Sequence, residues 1–79
     1  MAFEVVMPQM GAEMKEGTIL RWLKKEGDPV ERGEIIAEIE TDKANVEIEA
    51  FEGGVFRTAL AREGDTVAVG TVIAIIAAP

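Results

Sequence analysis

Residues 38–49 read Glu38-Ile39-Glu40-Thr41-Asp42-Lys43-Ala44-Asn45-Val46-Glu47-Ile48-Glu49. On either side of the centre, apolar and acidic residues alternate with a period of two, which is the pattern of a strand with one buried face. The stretch from Thr41 to Asn45 is polar and short enough to close a hairpin between the two strands. The pattern therefore predicts two acidic-faced strands with the primary amine of Lys43 displayed at their tip.

The composition is that of one small acidic domain. The chain has 79 residues, of which 48% are hydrophobic, and a net charge of −7 with neither Cys nor His. Without these two residue types the chain has no disulfide framework, no thiolate metal site and no ordinary nucleophile–base pair. The acidity disfavours nucleic-acid binding, and no apolar run approaches the ~20 residues of a membrane span. We therefore expect neither nucleic acid nor a membrane as a partner.

The first residues, Met1-Ala2-Phe3-Glu4, have neither the basic and apolar regions of a signal peptide nor the Arg and Ser of a transit peptide. We therefore expect a cytoplasmic location in a bacterium, or the mitochondrial matrix in a eukaryote.

The chain contains an internal repeat. Residues 17–39 match residues 54–76 at an offset of 37, with identity at 10 of 23 positions. Each copy contains a Glu-Gly-Asp turn, in which the glycine supplies a positive φ and the aspartate can bond its own turn. Val30 or Val67 follows as a buried anchor, and Gly33 or Gly70 then turns the chain into a longer apolar strand.

The repeat predicts an all-β fold, a flattened barrel-sandwich of two antiparallel sheets with about eight short strands and internal pseudo-two-fold symmetry. No convincing helix is predicted. The predicted longer strands are Phe3–Met7, Thr18–Lys24, Glu34–Thr41, Ala44–Ala50, Val55–Ala61 and Thr71–Ala77. We expect Phe3, Trp22, Phe51 and Phe56 to lie in the core or at its edge.

The termini are predicted to lie together, far from the Lys43 hairpin, because the hairpin joins the two halves. Residues 77–79 read Ala-Ala-Pro, which is typical of the start of a semi-stiff linker. We therefore expect residues 1–79 to form the N-terminal module of a longer multidomain chain.

With the hairpin, the repeat and the turns in place, the chain resembles a lipoyl domain of a 2-oxo acid dehydrogenase acyltransferase. The matching motifs span nearly the whole chain: Met7-Pro8, Glu16-Gly17-Thr18-Ile19, Gly27-Asp28, Glu40-Thr41-Asp42-Lys43, Gly53-Gly54 and Glu63-Gly64-Asp65. Met-Pro-Gln-Met, Glu-Gly-Thr-Ile and Glu-Thr-Asp-Lys-Ala look more like the pyruvate complex, with its dihydrolipoamide acetyltransferase, than the 2-oxoglutarate or branched-chain complexes.

The resemblance implies that Lys43 carries lipoic acid in amide linkage, as a swinging arm. The arm would be reductively acylated by a thiamine-diphosphate-dependent 2-oxo acid decarboxylase. It would pass the acyl group to coenzyme A at the acyltransferase core and be reoxidised by dihydrolipoamide dehydrogenase. A lipoate ligase, or an octanoyl transferase with lipoyl synthase, would attach the group. The isolated domain would be monomeric and not itself an enzyme, within a parent transferase.

Recognition residues are expected in two places. The resemblance places Glu40, Thr41, Asp42 and Ala44 around Lys43, and the loop from Gln9 to Glu16 beside the hairpin, where it would help the decarboxylase to choose its substrate. Met10 and Met14 either pack on the core or form a small recognition patch. Glu38, Glu40, Glu47 and Glu49 are either a solvated strand face or an acidic patch that orients the tip. The loop residues expected to be recognised are Gly11, Glu13, Met14, Lys15 and Glu16; no catalytic or metal-binding residues are expected.

Three alternatives share the fold. A biotinyl carrier usually has Met on both sides of its lysine, so Asp42 and Ala44 disfavour it. A glycine-cleavage carrier protein is a longer chain. An unmodified barrel-sandwich interaction module, as in membrane-fusion-type efflux proteins, would lack the tip lysine. An autonomous enzyme is disfavoured by the absence of His and Cys.

Overall fold

The computed structural model describes residues 1–78 as eight β-strands joined by turns. The part of the chain that it describes contains no helix, and therefore none that could cross a membrane. Each predicted longer strand is present, with its ends within two residues of those predicted. The strands are β1 Ala2–Val6, β2 Glu16–Trp22, β3 Pro29–Val30, β4 Ile35–Glu40, β5 Asn45–Glu49, β6 Gly54–Ala59, β7 Thr66–Ala68 and β8 Val72–Ala77.

The strands form two four-stranded antiparallel sheets, in the orders β1-β8-β6-β3 and β5-β4-β2-β7. The predicted all-β fold with internal two-fold symmetry is confirmed, since β2, β3 and β4 correspond to β6, β7 and β8. The short strand of each repeat copy joins the sheet built by the other copy: β3 pairs with β6, and β7 pairs with β2. The two halves are therefore interlocked, and neither forms a complete sheet alone.

The two Glu-Gly-Asp turns have the geometry that the sequence predicts. Gly27 and Gly64 have φ values of 91° and 93°, a region that side chains with a Cβ rarely adopt. In each turn the aspartate carboxylate accepts a hydrogen bond from the backbone N–H three residues earlier, at 2.9 Å for both Asp28 and Asp65. Each turn is therefore stabilised by a hydrogen bond between its own residues.

The same glycines connect each turn to the opposite sheet. Gly27 N–H donates to the carbonyl of Phe56 at 2.8 Å, and Gly64 N–H donates to the carbonyl of Ile19 at 2.7 Å. These bonds bring the segment after each turn beside the other copy. This explains why β3 and β7 pair across the two halves.

The core lies between the two sheets, and its largest fully buried side chains are Phe56, Met7, Ile19, Ile36, Ile39, Ile73 and Ile76. Trp22 packs edge-on against Phe56 with ring centroids 5.5 Å apart, and its indole N–H donates to the carbonyl of Ala61 at 2.9 Å. Phe56 is thus in the core and Trp22 lies half-buried at its edge, as predicted. Phe3, in β1, is half-buried. Of the two predicted anchors, Val30 is buried and Val67 is half-buried.

The prediction that Phe51 belongs to the core or its edge is wrong, since this side chain is 80% exposed. Strand β5 ends at Glu49, and Ala50 is the last residue held inward. Ala50 N–H donates to the carbonyl of Glu34 at 2.9 Å, and the carbonyl of Ala50 accepts the N–H of Gly33 at 2.8 Å. Phe51 follows this anchored residue in a bend and projects outward.

The termini lie together at one end of the molecule, as predicted. Ala2 pairs with Ala77 in the β1–β8 ladder, and Ala78 N–H donates to the carbonyl of Met1 at 2.7 Å. Strand β1 runs from this end toward the loop that borders the Lys43 hairpin. The hairpin is therefore at the far end of a molecule whose longest dimension is 35 Å.

A side-chain clip holds the start of the β4 segment. Lys24 Nζ lies 2.6 Å from Glu34 Oε2 and donates to the carbonyl of Pro29 at 2.9 Å, while the Glu31 N–H donates to Glu34 Oε1 at 2.9 Å. The hydrogen bond from Lys24 and, to a smaller extent, the one from the Glu31 backbone hold the pKa of Glu34 below its usual value.

Replacing Glu34 by Gln is expected to lower stability at neutral pH, and this loss should shrink as the pH falls. Between the ordinary and the lowered pKa, the unfolded chain binds the proton and the folded chain does not, so the contribution of Glu34 is lost as pH falls through the folded-state pKa. Urea unfolding of both proteins across a pH series measures the difference. The control is Glu52→Gln, which changes an exposed glutamate without such partners among residues 1–78. A loss of unfolding free energy in Glu34→Gln that does not change with pH would show that the ionised Glu34 carboxylate does not stabilise the fold through these bonds.

Candidate functional site

The site is built on the turn between β4 and β5. The ladder ends with Glu40 opposite Asn45, so residues 41–44 form the connection. Thr41 N–H donates to the carbonyl of Ala44 at 2.9 Å, which closes the turn. The alternation that the sequence predicts is present: Ile39 and Ile48 point into the core, and Glu40 points outward. The strands thus position the turn, and their burial fixes its register.

The hydroxyl of Thr41 makes three hydrogen bonds within this turn. It donates to the carbonyl of Ala44 at 2.8 Å and accepts the N–H groups of Ala44 at 3.1 Å and Lys43 at 3.3 Å. This is the local bonding by which a threonine orders a turn. The backbone on which Lys43 stands is consequently held by a side chain two residues earlier.

The side chain of Lys43 is exposed, and within residues 1–78 its amine makes no hydrogen bond or ion pair. The two ion pairs of that region join Arg21 to Glu38 and Lys24 to Glu34. An accessible primary amine on an ordered turn is the chemical group that forms an amide with an activated carboxyl. The residues present therefore fit a covalently attached carboxylic acid such as lipoic acid.

The β1–β2 loop (residues 7–15) lies beside the hairpin, where it was expected. A groove of about 400 Å³ separates the two, lined by Met10, Gly11, Ala12, Glu13, Met14, Thr41, Asp42, Lys43, Ala44 and Val46. Gly11, Glu13 and Met14 were predicted as recognition residues and Ala12 belonged to the predicted loop, whereas Val46 was not expected here. The alternation of apolar and acidic residues assigned Val46 to the inner face. Val46 lies near the start of β5, next to the β1–β2 loop, and for this reason it also lines the groove.

The β1–β2 loop is ordered by its own contacts. Gln9 Nε2 donates to the carbonyls of Ala12 and Met14, both at 3.3 Å, and Met14 N–H donates to the carbonyl of Gly11 at 3.1 Å. Met14 packs against the core, which is one of the two roles expected for the methionines, whereas Met10 is 51% exposed. A recognition role for Met10 stays a prediction. The groove is therefore lined by one apolar side chain packed on the core, Met14, and by one that is accessible to a partner, Met10.

The hairpin also borders an acidic cleft, which shares Glu13, Thr41 and Asp42 with the groove. This cleft, of about 590 Å³, is lined by Glu13, Lys15, Glu16, Gly17, Thr18, Glu40, Thr41 and Asp42. Glu16, expected in the loop, is the first residue of β2. The structure thus brings every expected recognition residue to one of the two surfaces that flank Lys43. Their roles in recognition stay predictions.

The acidic strand face has a structural role at one position. Glu38 lies opposite Glu47 in the ladder, and its carboxylate binds Arg21 at 2.9 Å. Like charges directly opposite each other are unfavourable, so Arg21 relieves this pair. Within residues 1–78, no group of three or more Asp or Glu residues is arranged to hold a metal ion.

Comparison with known proteins places this geometry in a family. The biotin/lipoyl family model, described as "Biotin-requiring enzyme", matches residues 3–76. The chain is 52% identical over 73 residues to the dihydrolipoyllysine-residue succinyltransferase component of the 2-oxoglutarate dehydrogenase complex of Staphylococcus saprophyticus. It is 50% identical over 78 residues to the dihydrolipoyllysine-residue acetyltransferase component of the pyruvate dehydrogenase complex of Zymomonas mobilis. These matches cover 92% and 98% of the chain but only 17% and 18% of the two relatives.

Two solved structures share the fold. The lipoyl domain of the 2-oxoglutarate dehydrogenase complex from Azotobacter vinelandii is 35% identical, with a TM-score of 0.77 and 94% of each chain covered. Urea carboxylase from Kluyveromyces lactis is 25% identical with a TM-score of 0.82; the match covers 98% of this chain and 6% of that one. The exposed hairpin lysine, the interlocked sheets and the match to a lipoyl domain over 94% of the chain lead to one conclusion: the chain belongs to the biotin/lipoyl attachment family and, within it, to the lipoyl domains of 2-oxo acid dehydrogenase complexes.

Proposed function

We propose that Lys43 carries a lipoyl group in amide linkage and that the domain delivers this group, as a swinging arm, to successive active sites. The observation that carries the proposal is the amine of Lys43, which is exposed, has no polar partner within residues 1–78 and stands at the tip of an ordered hairpin. When attached, the group supplies a disulfide that accepts an acyl group and electrons. The domain itself supplies the anchor and the recognition surface.

The position of Lys43 suits delivery. The hairpin and the termini lie at opposite ends of the domain, so a tether at Ala78 leaves the tip free to enter another protein. Tethering raises the effective concentration of a carried group at each site that the linker can reach. We propose that residues 1–79 are the N-terminal module of a dihydrolipoamide acyltransferase and that a linker begins near residues 77–79. Pro79 lies outside the described residues.

The proposed partners are those that the carrier role requires. They are a thiamine-diphosphate-dependent 2-oxo acid decarboxylase, the acyltransferase core of the parent chain and dihydrolipoamide dehydrogenase, together with the lipoate ligase or the octanoyl transferase and lipoyl synthase that load Lys43. The groove beside the β1–β2 loop and the acidic cleft offer the decarboxylase two different surfaces next to the same lysine. The groove is partly apolar and the cleft is dominated by carboxylates. Together they can favour a decarboxylase whose active-site entrance complements both surfaces over one that does not.

The choice of 2-oxo acid rests on motifs alone. The relatives at 52% and 50% identity belong to a 2-oxoglutarate complex and a pyruvate complex, so overall identity does not favour either. We propose the pyruvate complex because of Met7-Pro8-Gln9-Met10, Glu16-Gly17-Thr18-Ile19 and Glu40–Ala44. Acylation assays that offer the loaded domain to pyruvate and 2-oxoglutarate decarboxylases would decide between them.

The lipoyl function is tested by the mass of the intact domain after incubation with a lipoate ligase, lipoate and ATP. We expect a gain of one lipoyl group, mapped to Lys43 by peptide analysis. A biotin ligase is used in parallel, because a biotinyl carrier has the same fold. Biotin on Lys43 without lipoate would overturn the lipoyl assignment, and no modification of the folded domain by either enzyme would favour the interaction module.

A further inference from the structure

The hairpin has more hydrogen bonds than closure requires. The Glu40–Asn45 pair and the bond from Thr41 N–H to the Ala44 carbonyl already join the two strands. The hydroxyl of Thr41 adds bonds to the N–H groups of Lys43 and Ala44, at 3.3 and 3.1 Å. Its acceptor role therefore acts on the two peptide groups that set the direction of the Lys43 side chain.

No other side chain within residues 1–78 bonds the backbone of the tip. Asp42, Lys43 and Ala44 are all exposed, so burial does not fix their conformation. Without the hydroxyl, the N–H groups of Lys43 and Ala44 would bond water instead, and the tip could adopt several orientations at little cost. Thr41, half-buried at the end of β4, is the point at which the rigid sheet restrains the exposed lysine.

We propose that Thr41 is a positioning residue for the modification of Lys43, holding the tip in the conformation that the modifying enzyme accepts. This inference rests on the proposed lipoyl function. The apparent affinity of an enzyme for a substrate falls in proportion to the fraction of substrate in the competent conformation. A tip freed from Thr41 therefore raises KM, whereas kcat at saturation changes little because the amine of Lys43 is unaltered.

The test is the steady-state kinetics of a lipoate ligase with the domain as the varied substrate. Thr41→Val keeps the shape and β-branching of the side chain but removes the acceptor and donor. We expect KM for the domain to rise about tenfold, which corresponds to the loss of one to two ordinary hydrogen bonds. Thr41→Ser keeps the hydroxyl and should restore KM to within about twofold of wild type. Amide exchange at Lys43 and Ala44 should become faster in the valine variant only.

A matched control separates positioning from stability. Thr66 in β7 shares a 2.7 Å hydrogen bond with Thr18 and lies two strands from β4 in the same sheet. Thr66→Val makes the same chemical change away from the tip, so it should lower thermal stability without raising KM. Equal KM values for Thr41→Val and wild type, or equal increases in Thr41→Val and Thr66→Val, would overturn the proposal. Failure of the wild-type domain to be lipoylated would instead overturn the lipoyl function on which it rests.

Discussion

Lys43→Arg is expected to abolish lipoylation completely and to leave the fold unchanged. A guanidinium does not form the amide, because its nitrogens are delocalised and remain protonated. The cost in stability should stay below about 0.5 kcal/mol, since the side chain is exposed and makes no polar contact within residues 1–78. Intact mass after incubation with the ligase measures the first effect, and thermal unfolding measures the second.

The control for this variant is a second exposed lysine. Lys25 lies in the first Glu-Gly-Asp turn, beyond the groove and the cleft that flank Lys43. Lys25→Arg should gain one lipoyl group at the wild-type rate, which shows that the ligase reads the hairpin and not exposed lysines in general. A Lys43→Arg domain that is still modified, or that still accepts acyl groups from a decarboxylase, would contradict the assignment of the site.

Gly54→Ala is expected to destabilise the domain strongly, although it adds only a methyl group. Gly54 begins β6 between β8 and β3, and a Cβ at this position would overlap the backbone carbonyl oxygen of Ala77. It would also lie 3.1 Å from Cγ2 of Ile76. Backbone atoms cannot move aside as a flexible side chain can, so the sheet must separate locally, at a cost of about 3 kcal/mol. Urea unfolding measures the change.

Two further glycines calibrate this result. Gly17 is the repeat equivalent of Gly54, but its Cβ would meet the side-chain sulfur of Met7 at 2.8 Å, which a methionine can relieve by rotating. Gly11 has open space around the corresponding position. The expected order of destabilisation is therefore Gly54→Ala, then Gly17→Ala, then Gly11→Ala. Equal unfolding midpoints for Gly54→Ala and Gly11→Ala would show that the close approach of β6 and β8 is not rigid.

The hairpin and the turns could be predicted because their signals are local. A period-two alternation around Lys43 specifies two strands and their buried faces without knowledge of any distant residue. The same holds for Gly27 and Gly64, whose positive φ follows from a Gly-Asp turn. The internal repeat made most of the remaining strands predictable as well, because each strand assigned in one copy predicts a strand at the matching residues of the other copy.

The features that escaped prediction depend on distant contacts. Phe51 was assigned to the core by its residue type, but its direction is decided by Ala50, which is held to the segment before β4 by two backbone bonds. The exchange of β3 and β7 between the sheets depends on bonds from Gly27 and Gly64 to strands of the opposite copy. The contribution of Val46 to the groove depends on where the β1–β2 loop comes to rest. No sequence pattern in the neighbourhood of these residues encodes such partners.

The two-fold symmetry gives the Lys43 turn a counterpart at the chain ends. In the strand pairing, Glu40 opposite Asn45 at the hairpin is equivalent to Ala77 opposite Ala2 at the chain ends. The 2.9 Å bond from Thr41 N–H to the Ala44 carbonyl therefore has its equivalent in the 2.7 Å bond from Ala78 N–H to the Met1 carbonyl. At the second position the strands stay paired although no peptide connects them. Covalent continuity across residues 41–44 is therefore not a requirement of the architecture, and a circular permutant opened there and joined at the present ends would keep every strand pairing. What this turn contributes is consequently the exposed Lys43, because the pairing of the sheet does not depend on the covalent link.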